Sequence, residues 1–433
     1  MRILTSNVAE HIGKKISVSG WIHKIRKMGG ITFIVIRDRS GLIQGVVEKK
    51  EANKVLEDLS TESVVKISGE VVKEDRAPQG SEIRVDSVEL ISKVSEDIPV
   101  EINKKEMNIN LDTLLDNRQV ALRSPHQQAI FKVHANIAKS FRKHMEANDF
   151  VEINTPKIVE EGLETGGAEM FDLKWFDKKA FLSQSPQMYK QVMVGVFERV
   201  YEISNYWRAE KHSTSRHVNE FTMMDFEMGF IDSWEEVMDM SEGFVNEFVS
   251  NLQKECGQEL ELWKAQLPKV PKSIPRVKLD EAQEIIKKEY KHDITGEPDL
   301  DPEGERLISK YALEKLDSDF IFVTHYPTKK RAFYSMDDPN SPNETLTFDL
   351  LFRGLEINSG GQRIHTYEGY LEKLKSRDMD PNNFEDYLVS FKYGMPPHGG
   401  TGWGLDRITQ KVFGLDNIRE AILFPRDINR LTP

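Results

Sequence analysis

The first hundred residues alternate apolar and polar positions in five short runs: KISVSGWI, ITFIVIRD, LIQGVVE, VVKISGEVV and EIRVDSVELI. Period-two alternation bounded by glycines and charged turns predicts strands. A polar helical segment, KKEANKVLEDLS, falls between the third and fourth runs. Five strands with a helix at that point predict an OB-fold β-barrel over residues 1–100, a frequent single-stranded nucleic-acid module.

The pattern then changes. Residues 101–122 carry few apolar runs and many charges and read as a hinge. Ser124, Pro125 and Gln127 read as a helix start, with Ser as cap, Pro in the first turn and Gln closing a capping box. Ile130, Ile137, Phe141 and Met145 then share one helical face. FVEINTPKI follows as a strand containing Pro156. From Arg199 to Phe230 two apolar-aromatic runs flank a polar loop. Val200, Tyr201, Ile203, Tyr206 and Trp207 lie on one side, and Phe221 to Met224 with Phe226 on the other. This predicts an antiparallel hairpin with a long tip. Residues 243–319 are polar and largely helical, and read as an insertion on the sheet with no chemistry assigned. FDLLFRGLEINSGGQR reads as amphipathic strand. Gly399, Gly400, Gly402 and Gly404 read as a Gly-rich entry to a helix through Leu405, Ile408 and Val412.

Composition narrows the class. The chain has 433 residues, 39% hydrophobic and 30% charged, enough for two or three domains with ample core. The net charge of −12 announces no nucleic-acid partner, so any such contact needs a local patch. Lys24, Arg26, Lys27, Arg37 and Arg39 form one, with Phe33 among them to stack on a base. The single cysteine, Cys256, excludes an internal disulfide and a cysteine metal cluster. No apolar run has the length of a membrane span and no signal segment opens the chain, so a cytoplasmic protein without a membrane partner is expected.

The hairpin carries the chemistry. It holds Arg208, Glu210, Lys211, His212, Arg216, His217, Glu220, Asp225 and Glu227. A guanidinium fork grips phosphate, an aromatic face stacks on a base, and carboxylates receive amino groups or metals, so this set suits a nucleotide. Arg407 adds charge beside the glycines. No parallel βαβ unit surrounds them, which excludes a dinucleotide fingerprint.

These stretches resemble a family. YWRAE with RHVNEF resembles motif 2 of the class II aminoacyl-tRNA synthetases, and GTGWGLDR resembles motif 3. The helix–strand–Pro unit is similar to motif 1, which forms the dimer interface, and LDNR at 115–118 resembles the signature before the catalytic domain. GWIHKIRKMGGITFIVIRDRSGLIQ is similar to the anticodon-binding barrel of the aspartyl, asparaginyl and lysyl enzymes. The resemblance implies an α+β chain: an OB-fold barrel over 1–100 and, over 123–433, a catalytic domain with an antiparallel sheet flanked by helices. It also implies a homodimer.

FLSQSPQMYKQ and the C-terminal NIREAILFPRDINRLTP point, within that family, to archaeal-type aspartyl enzymes. By this likeness Arg208 and Arg407 are catalytic, and ATP is held by Arg208, Glu210, Arg216, His217, Phe221, Glu356, Gly404 and Arg407. Aspartate is held by Gln187, Lys190, Asp225, Ser359 and Arg363, under a closing loop containing Glu164 and Thr165. Thr165 stands where these enzymes usually carry glutamate. Asp349, Glu356 and Ser359 hold Mg²⁺ against the phosphates. Arg26, Phe33 and Gln44 contact anticodon bases. His23 and Pro78 replace a tryptophan and a lysine found in enzymes that accept only tRNA(Asp). They resemble the non-discriminating enzymes that also charge tRNA(Asn) and work upstream of a tRNA-dependent amidotransferase. The nearest rival is an asparaginyl-tRNA synthetase, against which Lys190 stands. A catalytically silent tRNA-binding paralogue is a second, disfavoured by intact Arg208, Glu356, Arg363 and Arg407.

Overall fold

The computed structural model describes residues 2–104, 106–160, 169–212 and 214–433. The chain divides into two compact units, Met1–Met107 and Asn108–Pro433. In the first, β1 (Lys15–Met28), β2 (Ile31–Asp38), β3 (Gly41–Val47), β4 (Val64–Lys73) and β5 (Ser81–Ser92) close into a barrel ordered β1-β2-β3-β5-β4. Helix α1 (Lys50–Leu56) lies between β3 and β4, as the polar segment predicts. Inward positions are aliphatic: Val18, Ile22, Ile34, Ile36, Ile43, Val65, Ile67 and Ile83 share one core. Strand closure needs a glycine at Gly69, where a Cβ would come 2.0 Å from the Arg84 carbonyl oxygen.

The second unit opens with α2 (Leu111–Asp116) and α3 (Arg118–Ala121). These are packed structure, so residues 111–121 of the stretch read as a hinge belong to the second unit, while the division between the units falls within that stretch, after Met107. Arg118 is fully buried, and its guanidinium donates to the carbonyls of Glu420, Ile422 and Leu423 and to Gln127 Oε1. The expected capping box is therefore not formed. Gln127 is committed to Arg118, and Ser124 precedes α4 (Pro125–Glu146) without a side-chain cap. The apolar face of α4 is as expected, with Ile130, Val133, Ile137, Phe141 and Met145 buried.

Strands β6 (Val151–Glu152), β7 (Ile158–Val159), β8 (Asp172–Trp175) and β9 (Lys178–Leu182) come next, then α5 (Gln187–Phe197). The predicted hairpin follows as β10 (Arg199–Trp207) and β11 (Glu220–Gly229). Helices α6 (Glu235–Glu255) and α7 (Gly257–Leu262), β12 (Arg276–Lys278), α8 (Leu279–Tyr290), α9 (Pro302–Leu316) and β13 (Phe320–Thr324) occupy the stretch read as an insertion. It is no separate body. Phe244, Phe248 and Leu252 of α6 belong to the main core, and β12 is a strand of the main sheet. The remainder is β14 (Asp337–Asp338), β15 (Ser341–Thr345), β16 (Thr347–Phe352), β17 (Leu355–Gln362), α10 (Tyr367–Ser376), α11 (Glu385–Lys392), β18 (His398–Gly404) and α12 (Leu405–Phe413).

The main sheet runs β12-β13-β16-β17-β18-β11-β10-β6. Only the edge pairs β12–β13 and β10–β6 are parallel. The stretch read as one amphipathic strand is a hairpin, β16–β17, turned at Arg353 (φ 46) and Gly354 (φ 80). Two successive positive φ values suit a tight two-residue turn. One sheet face packs on α4, α6 and α12 through Met224, Phe226, Met228, Phe348, Leu350 and Trp403. The alternate residues of β11 point the other way, toward the cavity described below.

Candidate active site

Register places the chemistry. Strand β11 pairs with β18 so that Asp225 faces Gly402 and Glu227 faces Gly400. Both carboxylates are buried and lie across those glycines. A Cβ at Gly400 would come 2.2 Å from Glu227 Oε2, and one at Gly402 2.9 Å from Asp225 Oδ1. The glycine run is thus a central strand, not a loop reaching for an anion; none of Gly399, Gly400, Gly402 or Gly404 has positive φ. At Gly400 and Gly402 the absent side chain leaves room for carboxylates on the neighbouring strand.

Above this floor lies a cavity of about 620 Å³, within the range of small-molecule sites. Arg208, Glu210, Arg216, His217, Phe221, Glu356, Gly404 and Arg407, the expected nucleotide set, all line it. The Arg208 guanidinium sits 5.2 Å from the Phe221 ring centre. Burial and the nearby positive Arg407 both hold the Arg208 guanidinium below its usual pKa. Two cations facing one cavity favour an anion between them. Asn219 ties the hairpin tip down, its amide donating to the carbonyls of Arg208 and Glu210. Arg407 donates to the Glu356 carbonyl at 2.9 Å and approaches its carboxylate at 3.4 Å. His217 bonds Thr214, and burial and Arg407 lower its pKa, favouring neutral imidazole.

Arg216 is already engaged. Its Nη2 donates to both oxygens of Glu305 at 2.8 and 2.7 Å. Glu305 lies on α9, inside the stretch given no chemistry, and also accepts from the Glu356 backbone N–H. No local motif marks it, because it reaches the site only through tertiary packing.

The expected metal ligands Asp349 and Ser359 are register partners on β16 and β17. Arg331 pairs with Asp349 at 2.7 Å, donates to Ser359 Oγ at 3.2 Å, and stacks 3.8 Å from the Tyr326 ring centre. Asp349 Oδ1 is buried without a hydrogen-bond partner. Burial raises the Glu356 carboxyl against the pull of Arg407, and Asp349 and Glu305 push it further up. An orphaned carboxylate oxygen, a hydroxyl and mutually repelling acids are a donor set that fits a hard dication.

At the other end Gln187, Asp225, Ser359 and Arg363 line the cavity, as expected of the amino-acid site. Among the described residues Asp225 Oδ2 is buried with no hydrogen-bond partner, and burial raises this carboxyl against the pull of Lys190. Arg363 donates through Nε to Glu227 at 2.9 Å and through Nη2 to Gly400 at 2.8 Å. Its Nη1 makes no hydrogen bond among the described residues.

Lys190 departs from expectation. Its ammonium is 2% exposed and donates to Asp225 Oδ1, Phe226 O and Thr401 O at 3.0, 3.3 and 3.0 Å. Those three acceptors use its three protons. Lys190 is not among the residues that line the cavity; its ammonium pairs with Asp225 and lies 3.3 Å from Glu227. Glu227, fully buried between Lys190 and Arg363, had no role assigned from sequence. Glu164 and Thr165 lie outside the described residues.

On the barrel, Arg26 faces Phe33 across β1–β2, and Gln44 faces Val35 across β2–β3. Arg26 is exposed, and Phe33 and Gln44 are partly so. These three share an outward face, so Phe33 is not a core residue. His23, a further member of the expected set, does not. His23 is the extra residue of a β-bulge, 7% exposed, with Nδ1 3.3 Å from Arg37. Burial and Arg37 push its pKa down to about 4. Arg37 in turn is buried in a two-pronged ion pair with Glu62. His23 supports the face from beneath instead of presenting itself on it. Pro78 opens a short 3-10 turn; its side chain lies outside what is described.

Comparison with known proteins agrees with this layout. Residues 110–428 match the family model for class II tRNA synthetases (D, K and N), and residues 16–91 that for an OB-fold nucleic acid binding domain. The chain is 46% identical to an aspartate–tRNA(Asp/Asn) ligase of Thermus thermophilus, covering 100% of both chains. It is 41% identical to an aspartate–tRNA(Asp) ligase of Pyrococcus abyssi over 99% of each. Among solved structures, asparaginyl-tRNA synthetase from Pyrococcus horikoshii, complexed with asparaginyl-adenylate, superposes with a TM-score of 0.93 at 32% identity and covers 100% of both chains. With a barrel, an antiparallel catalytic sheet and an arginine-lined cavity in the matched regions, this chain belongs to the class II aminoacyl-tRNA synthetases of the aspartyl, asparaginyl and lysyl group.

Proposed function

We propose that the chain is an ATP-dependent aspartate–tRNA ligase, charging tRNA(Asp) and also tRNA(Asn). The observation that carries the amino-acid assignment is the charge balance at the cavity floor. Lys190 and Arg363 face Asp225 and Glu227, two cations against two anions. The substrate ammonium would take Asp225 Oδ2 and its α-carboxylate would turn to the nucleotide, which leaves the free edge of Arg363 on the cavity without an anion. Aspartate supplies the matching side-chain carboxylate; asparagine does not. Buried charge left unmatched is costly, so the pocket favours the acid over the amide.

In the reaction the aspartate α-carboxylate attacks the α-phosphorus of ATP, and pyrophosphate leaves. Two anions must meet, so the barrier falls mainly through positioning and charge neutralisation. Arg208 would hold the α-phosphate. Its Nε, buried without a partner, supports this role. Phe221 and Arg407 would enclose adenine, with Glu210 accepting from its amino group, and His217 and Arg216 would reach the terminal phosphate. Asp349, Glu356 and Ser359 would hold Mg²⁺, which would supply further neutralisation of the phosphates. Arg331 would then give up its share of Asp349.

The barrel face of Arg26, Phe33 and Gln44 would read unstacked anticodon bases. Relaxed choice between the two tRNAs is supported by the higher identity to aspartate–tRNA(Asp/Asn) ligases, 46% for that of Thermus thermophilus and 44% for that of Deinococcus radiodurans, than to the aspartate–tRNA(Asp) ligase of Pyrococcus abyssi at 41%. Such an enzyme requires an amidotransferase downstream. A homodimer is supported by apolar residues exposed on the edge elements of the catalytic unit: Val151, Ile158, Trp175 and Phe176. Among the described residues no helix is long and apolar enough to cross a membrane, consistent with a cytoplasmic site of action.

The asparaginyl reading is kept alive by one observation, the 0.93 TM-score to an asparaginyl enzyme. ATP–pyrophosphate exchange decides between them. Exchange driven by aspartate and not by asparagine supports the proposal; the reverse overturns it.

A further inference from the structure

Behind the amino-acid end lies a buried polar network whose proton positions are fully determined. It starts at the Pro396 carbonyl, which can only accept. His398 is fully buried with Nδ1 2.9 Å from that oxygen, so Nδ1 carries the proton. Burial lowers the His398 pKa, so the ring is neutral and its Nε2 is an acceptor. Gln191 Nε2 lies 3.0 Å from His398 Nε2 and must donate to it. The same amide nitrogen donates to Tyr370 Oη at 3.1 Å. Tyr387 donates to Gln191 Oε1 at 3.0 Å, so Tyr370 must donate across the 2.7 Å contact to Tyr387. Every proton of Gln191 is spent, and its amide cannot turn over without setting donor against donor.

The last link reaches the cavity. Gln187 Nε2 donates to Gln191 Oε1 at 2.9 Å. Its own Oε1 makes no hydrogen bond among the described residues, and Gln187 lines the cavity together with Asp225. We infer that Gln191 is a positioning residue for amino-acid recognition. Locked by His398, Tyr370 and Tyr387, it turns the Gln187 carbonyl oxygen into the cavity and makes the ammonium subsite accept-only. The subsite then offers Gln187 Oε1 and Asp225 Oδ2 to an α-ammonium. Without the lock, the Gln187 amide is free to flip and present N–H to a cation. This deepens the proposed function and rests on it, but it concerns only the end of the ligand that aspartate and asparagine share.

The test compares Gln191→Met with Gln191→Glu in the full chain, by ATP–pyrophosphate exchange, beside thermal unfolding. Methionine fills the space but accepts nothing, so Gln187 loses its anchor. A carboxylate still accepts from Gln187 Nε2 and from Tyr387, and beside it His398 takes up a proton at Nε2 and donates to the second oxygen. In Gln191→Met, KM for the amino acid should rise about tenfold, the scale of one misdirected hydrogen bond, while KM for ATP stays within about twofold. In Gln191→Glu the amino-acid KM should return to within about threefold of wild type. Equal amino-acid KM values in the two variants, or parallel rises in the amino-acid and ATP constants, would overturn the inference and leave the ligase assignment standing. If Gln191→Met fails to fold, a tenfold-raised amino-acid KM in Gln191→Glu alone is enough to overturn it. Wild-type exchange with neither amino acid would overturn both.

Discussion

The carboxylate of Glu227 lies flat across Gly400 of the neighbouring strand, with 2.2 Å between Oε2 and the place a Cβ would occupy. The same Cβ would come 2.2 Å from the Phe226 carbonyl oxygen, so neither side chain nor backbone has room. Gly400→Ala should lower stability by about 1–3 kcal/mol, the usual cost of overpacking. It should also weaken amino-acid use by displacing Glu227 from Arg363. Thermal unfolding and exchange kinetics check both; a variant with wild-type stability and KM would refute the close approach.

Glu227 also sets a pH dependence. Burial pushes its carboxyl up, but Arg363 and Lys190 more than offset this and hold it below its usual range. The unfolded chain therefore takes up this proton before the native one does. Stability from this carboxylate is complete above the unfolded value of about 4.3 and is lost as pH falls through the lower native value. Glu227→Gln leaves Lys190 and Arg363 short of a counter-charge and should cost about 3–5 kcal/mol near neutral pH. The gap between wild type and variant should narrow as pH drops below about 4. Denaturant unfolding at several pH values reads it, and a gap that widened in acid would contradict the pairing.

Among the described residues Arg208 Nε makes no hydrogen bond, and the guanidinium stacks on Phe221. Arg208→Ala should reduce ATP–pyrophosphate exchange by at least about a hundredfold while the unfolding temperature changes little. Near-normal exchange would remove Arg208 from the mechanism.

Arg216 must leave Glu305 to reach a phosphate. Glu305→Gln weakens the pair and should lower KM for ATP by up to about fivefold, the range for a partly exposed ion pair. A raised KM would mean that Glu305 holds Arg216 in its working position instead of restraining it.

Phe33 and Arg26 are opposite one another on the outward barrel face. Phe33→Ala should raise KM for tRNA by about tenfold to a hundredfold, the value of one base–aromatic stack. Exchange without tRNA should be unchanged, and altered exchange would show that the substitution acts beyond the barrel.

The barrel and the central hairpin were legible because local signals carry them, period-two alternation and turn residues, whereas most cavity residues were named through the resemblance of short motifs to a family. Other features depend on tertiary contact. Lys190 was assigned to the ligand by the family resemblance, and only the fold shows its three protons spent on Asp225 and two backbone carbonyls. Glu305 and Arg331 arrive from segments with no motif. The glycines of β18 were read as anion-binding because sequence cannot show which strand lies beside them. His23 looked like a contact residue, yet a bulge in β1 turns it under Arg37. Arg118 sat in a charge-rich stretch read as a hinge, and its partners lie some three hundred residues away.

The most direct measurement is charging of purified tRNA(Asp) and tRNA(Asn) transcripts with labelled aspartate and, separately, labelled asparagine. Aspartate should appear on both transcripts and asparagine on neither. Aspartate on tRNA(Asp) alone would keep the ligase and discard the relaxed anticodon choice. Asparagine on tRNA(Asn) would contradict the charge balance assigned to Lys190, Arg363, Asp225 and Glu227, and with it the aspartate assignment.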